Sequence, residues 1–208
     1  MNGVTASAGL NVTALLAAIE EASFIVLHAA IYSNFANSEV GETIRQQLIN
    51  GRLQQLDIIE LKPHPAWQQE FAAILRPQMP TDSVEQLFVE SSIWGAQLQA
   101  EFALQVNRST TQALPLQPIL LVGDSVFVGQ YAHSTLTSAA GLWLQLHPPS
   151  LGLKPHMLQH WYRNGSPTEL SGNYALAISR YVEECRQAAA FYAHSQDSVT
   201  RQLEEGNK

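Results

Sequence analysis

The sequence of 208 residues has one cysteine, few charges and no long apolar run, and each shortage excludes something. Cys185 has no partner for an internal disulfide or a zinc motif, which fits a reducing compartment and a small buried hydrophobe. Charged residues are 14% of the chain, a weakly charged surface that tolerates protein contacts. The 11 Lys plus Arg are scattered singly against 18 Asp plus Glu, giving a formal net charge of −7. Nucleic-acid backbones demand clustered cations, so the composition argues against a nucleic-acid partner, and an acidic surface gains nothing at an anionic membrane.

Apolar residues are 46% of the chain, yet no run approaches the eighteen or so that cross a bilayer, so a chain with no membrane span is expected. The first residues have no basic n-region, and Glu20 and Glu21 interrupt their apolar segment. That argues against a signal peptide, and a cytoplasmic location is expected. No cofactor motif is found.

Hydrophobic periodicity organises the chain. Val12, Leu15, Leu16 and Ile19 recur at helical spacing behind Asn11, a candidate N-cap. Phe24 to Ile31 reads as a buried strand, Ser38 opens a second helix with Val40, Ile44 and Leu48 inside, and Leu56 to Leu61 returns as a strand. Helix, strand, helix, strand with short connections predicts an α/β arrangement with the two strands parallel. Pro63 and Pro65 precede a helix over residues 66–75. Asp82 and Glu85, at capping-box spacing, start a long helix with Leu87, Phe88, Trp94, Leu98, Phe102 and Val106 inside, ended near residue 111.

Residues 116–134, LQPILLVGDSVFVGQYAHS, predict two strands around Gly123-Asp124-Ser125, and Gly141 to Leu146 a further strand stopped by His147-Pro148-Pro149. The rest reads as helical: a short piece over Lys154–Arg163 and a long helix from Ser171. On it Tyr174, Ile178, Tyr181, Cys185, Ala188 and Tyr192 alternate steps of four and three, the period of a helix-pairing seam, though packing on the chain's own core is the favoured explanation. A main domain over 1–150 and a C-terminal helical extension over 151–208, packed on it or on a partner, are expected.

The hairpin resembles the HKD motif of the phospholipase D-like superfamily, in which a histidine and a lysine two residues apart precede an aspartate after four more. Here that frame holds Gln117, Ile119 and Asp124. The opening helix with Ile19 to Ala22, the strand, the helix and the strand after Gly51-Arg52 resemble the same family, over roughly residues 10–146. The resemblance implies a mixed sheet flanked by helices, and a homodimer, since such domains commonly pair through the face bearing the hairpins. In the family the histidine attacks phosphorus and the lysine stabilises phosphate charge. Gln117 cannot form a phosphohistidine, Ile119 carries no charge, and no Lys or Arg occurs between Arg108 and Lys154. The expected protein is therefore a catalytically inactive, dimeric regulatory, sensing or adaptor domain that binds a protein or a small ligand.

An alternative is a diverged hydrolase using His133 and His28. The resemblance makes their strands neighbours, so that Gln117, Asp124, Tyr131, His133, Ser134 and His28 form a candidate binding cleft. His156 and His160 share a helical spacing but no metal motif, and no metal site is expected. Trp67, Trp94, Trp143 and Trp161 sit in apolar patterns and are read as core.

Overall fold

Phe24–Ala29 (β2) is apolar except for His28, a pattern that suits a strand buried on both faces, and five of its six residues are buried. A computed structural model describes residues 3–114, 116–130 and 140–205, of which 191–205 as helix backbone alone. Tyr131, His133 and Ser134 lie outside the described residues.

β2 lies inside a seven-stranded mixed sheet. Gln55–Leu61 (β3) pairs with it in parallel, through the crossover helix Glu39–Ile49 that also follows the short helix Ser33–Ala36. Val106–Thr111 (β4) continues the parallel half beyond β3. On the other side of β2, Ile119–Val122 (β5), Ser125–Val128 (β6), Leu142–Leu146 (β7) and Val4–Ala8 (β1) follow as antiparallel strands. The helices, in chain order, are α1 (Val12–Glu21), α2 (Ser33–Ala36), α3 (Glu39–Ile49), α4 (Gln68–Leu75), α5 (Thr81–Glu101), α6 (Met157–Asn164) and α7 (Asn173–Glu205). None among the described residues is long and apolar enough to cross a membrane. The α/β expectation, with parallel pairing of the first two predicted strands, matches this architecture.

Alternation along the strands sends side chains to two layers. Ile25, Leu27, Leu56, Ile58, Leu120 and Val122 pack against Leu15 and Ile19 of α1, Ile44 and Leu48 of α3, and Trp94 and Leu98 of α5. Phe24, Val26, Ile59, Ile119 and Leu121 pack against Leu158, Trp161 and Tyr162 of α6 and Ile178, Val182 and Cys185 of α7. α6 and α7 as far as Ala189 therefore close one face of the sheet of their own chain. The edge of that closure is polar: Arg163 donates to Gln55, Gln55 to Asp57, and Asn107 to Asp57.

Three expectations differ. Strand β1 was not foreseen, because Val4–Ala8 has little apolar alternation and gains its place only by pairing with β7. The long helix stops at Glu101, and Val106 belongs to β4 rather than to the helix. Phe102 and Val106 stand at helical spacing, but the Phe102 carbonyl accepts from both Gln105 and Val106 in a turn that redirects the chain, with Leu104 99% exposed. Thr81 rather than Asp82 begins α5, and Pro80 caps it without a side-chain bond. The Asn11 cap is present: its Oδ1 accepts from the Ala14 N–H at 3.1 Å.

Candidate functional site

Gly123 and Asp124 are the two residues of the β5–β6 turn, since Val122 pairs with Ser125. A positive φ at Gly123 (54°) and not at Asp124 is the pattern of a type II′ turn, which only glycine enters without strain at that position. Gln117 and Asp124 thus lie at opposite ends of β5, about 20 Å apart at the rise of a strand. They do not share a cleft, because the intervening strand is extended.

At the Gln117 end, α7 covers the sheet. Ile119 is fully buried and stands opposite His28 in the ladder. Gln117 hydrogen-bonds Glu184 of α7, whose carboxyl is nevertheless raised because burial outweighs that bond. Cys185 beside it is fully buried, and burial pushes its thiol well up. His28 is pushed down to about 4 by burial, and its Nδ1 has no partner among the described residues. The imidazole is therefore neutral and buried, a poor base for any substrate reaching from solvent.

At the Asp124 end, one carboxylate oxygen accepts the His156 N–H at 2.6 Å. His156 has a φ of 61° and sits just before α6, so it does not share a helix face with His160. His147 stands across the same recess and bonds Ser150 Oγ at 2.8 Å. Asp124 here orders the start of α6. Among the described residues no three His, Cys, Asp or Glu side chains gather as metal ligands.

The anticipated seam on α7 divides. Ile178, Cys185 and Ala188 are buried against the chain's own sheet, Tyr181 is half-buried, Tyr174 is exposed, and the side chain of Tyr192 lies outside the described set. That stripe is thus taken up within the chain rather than offered to a second one, because the helix lies along β4 and also reaches β3 and β5. Trp94, Trp143 and Trp161 are core residues as expected, and Trp67 packs edge-on against Phe71, with ring centroids 5.5 Å apart.

The sheet also holds a cleft that sequence reasoning missed. The chain builds outward from β2 through β3 to β4, then returns to the other side of β2 as β5. Where a sheet reverses its growth in this way, the ends of the strands part and leave a crevice. The crevice here has a volume of about 620 Å³ and opens at the end of β2, between Ala29, Ala30 and Ile31 on one side and Pro118, Leu120 and Trp143 on the other. Leu10, Phe35, Val40 and Leu75 extend its apolar wall, and Asn34, Ser38, Glu39 and Arg76 supply its polar groups. A mainly apolar concavity with a few polar groups is the usual form of a small-molecule site.

Its rim is held by two devices. Ser91 Oγ of α5 accepts the N–H groups of Tyr32 at 2.7 Å and Ser33 at 3.2 Å, and donates to the Leu87 carbonyl at 2.7 Å. Tyr32 OH meets the Leu27 and Ile59 carbonyls and the Ala29 N–H, each at 2.8 Å, so the segment leaving β2 is pinned to the sheet. The sequence signal for the cleft is Ala29-Ala30, two small residues ending a bulky strand. The rest of its wall comes from segments far apart in the chain.

No family model matches the chain, and no curated protein matches it. Among solved structures, the chain is similar to TrmBL2, an archaeal chromatin protein described as showing a novel mode of DNA binding, with a TM-score of 0.43 and 14% identity. The similarity covers 78% of this chain and 53% of that one, so the chain spans about half the length of that protein.

Proposed function

We propose that this is a catalytically inactive phospholipase D-like domain that works as a dimeric regulatory or sensing protein and takes a small, mostly apolar ligand in the cleft at the end of β2. The observation that carries the reading is the division of roles across the sheet. The positions that resemble the reactive pair bring neither a nucleophile nor a cation, Ile119 buried under α7 and Gln117 at its flank, while the apolar cleft lies on the other face. Binding without turnover is what remains when shape is kept and reactive groups are lost. A cytoplasmic setting without a nucleic-acid partner belongs to the same reading and rests on the net charge of −7 and the scattered cations.

The competing hydrolase would need His28 as an accessible base beside His133, and burial of His28 counts against it. Two measurements separate these readings. Native mass spectrometry of the full chain is expected to reveal a dimer with a co-purified small molecule. Titration of the stripped protein with 1-anilinonaphthalene-8-sulfonate is expected to show saturable binding that Val12→Trp, at the cleft mouth, blocks. Unaltered dye binding in that variant defeats the cleft assignment. Hydrolysis of bis(p-nitrophenyl) phosphate by the wild type, abolished in a folded His28→Ala variant, defeats the inactive reading.

A further inference from the structure

An open groove of about 1030 Å³ runs between Leu114, Leu116 and Gln117 and the outer flank of α7, away from the ligand cleft. Three leucines that line it are exposed: Leu114 at 49%, Leu116 at 75% and Leu176 at 49%. Single exposed leucines are ordinary, but three around one groove make the kind of patch that marks an interaction surface.

The same flank of α7 carries both signs of charge, Arg180 with Glu183 and Glu184. Arg186 engages both oxygens of Glu183, at 2.9 and 2.8 Å, which satisfies that carboxylate within the chain. Glu184 is half-buried, and burial raises its carboxyl against the opposing effect of the Gln117 bond. It is thus a carboxylate for which an approaching cation would be favourable. Arg180 lies one helical turn away on the same flank.

We infer that this groove docks a second copy of the chain, α7 against α7 in antiparallel fashion about a two-fold axis at the level of Val182. In that arrangement residues equally spaced before and after the axis face each other, so Arg180 of each chain meets the partner's Glu184. The two contacts are equivalent, and the surface is its own complement. A partner of one charge sign would match either Arg180 or Glu184 and oppose the other, which is why a second copy is favoured. Leu116 and Leu176 then leave water at the same contact, adding apolar burial to the charge pairing. This inference rests on the dimeric part of the proposed function and is independent of the ligand cleft.

Sedimentation velocity on the full chain tests it. The wild type is expected to be a dimer, and Leu116→Glu and Arg180→Glu are each expected to weaken association about tenfold or more. The double exchange Arg180→Glu with Glu184→Arg is expected to restore it, because the pairing is re-formed with its signs reversed. Circular dichroism monitors folding, and if Leu116→Glu unfolds the chain, Arg180→Glu and the exchange decide alone. A dimer that survives both single substitutions overturns this interface and leaves the dimeric reading standing. A monomeric wild type overturns both, while the dye titration still judges the cleft.

Discussion

Asp124 holds His156: its carboxylate accepts the His156 N–H at 2.6 Å and so joins the β5–β6 turn to the start of α6. The one position at which the chain matches the aspartate of the resembling motif is engaged in packing the C-terminal helices, and the bond fixes a histidine at a φ of 61°. A carboxylate acceptor makes a stronger bond than a neutral one.

Asp124→Ala is therefore expected to lower stability by about 2 kcal/mol, and His156→Gly to raise it by about 0.5–1 kcal/mol. Glycine keeps the N–H that Asp124 binds and removes the cost of a side chain at positive φ. Urea denaturation of the two variants measures both. An Asp124→Ala variant as stable as the wild type would mean that the bond does not hold α6 in solution.

Burial pushes His28 from 6.5 down to about 4, so the folded chain excludes a proton that the unfolded chain binds between those values. Stability from this source is fully present above pH 6.5 and falls as the pH drops toward 4, by about 3 kcal/mol in total. His28→Leu removes that proton uptake. The difference in stability between wild type and variant, followed by chemical denaturation from pH 7 to pH 4, is expected to move in favour of the variant as the pH falls. A difference independent of pH would contradict a neutral, buried His28.

Ser91→Ala leaves the N–H groups of Tyr32 and Ser33 without their acceptor and is expected to cost about 2 kcal/mol. The loss falls on the segment that rims the cleft. Hydrogen exchange of the Tyr32 and Ser33 amides should accelerate more than that of β2. Uniform acceleration would indicate a global effect instead.

A Cβ on Gly129 would stand 2.6 Å from the Trp143 ring and 2.8 Å from Pro118. Gly129→Ala therefore forces the indole or the proline out of place and is expected to cost about 1–3 kcal/mol. Both displaced groups line the cleft. Dye affinity in the cleft is expected to fall with stability, and a variant with native stability and native dye binding would show that this contact yields freely.

Much of the framework was legible because local pattern and tertiary demand agree. The apolar run of β2, the helical spacing of Val40, Ile44 and Leu48, and Gly123-Asp124 between two strands each specify an element from neighbouring residues alone. Where one short pattern fits two elements, reading failed: Phe102 and Val106 stand four apart whether or not a helix joins them. Strand β1 was hidden for a different reason, since its place depends on a partner far along the chain, with Val4 opposite Leu146 and Ala8 opposite Leu142.

The candidate site divides along the same line. Sequence alone determined that Gln117 and Ile119 bring neither a nucleophile nor a cation to their positions, because that follows from side-chain chemistry and needs no geometry. Only the tertiary structure decided that Gln117 and Asp124 lie toward opposite ends of a strand, that α7 packs over Ile119 with His28 buried beside it in the ladder, and that a cleft opens beyond Ala29 and Ala30. Those relationships are distances between residues remote in the chain, set by how strands order themselves in the sheet, and no local pattern of residues carries them.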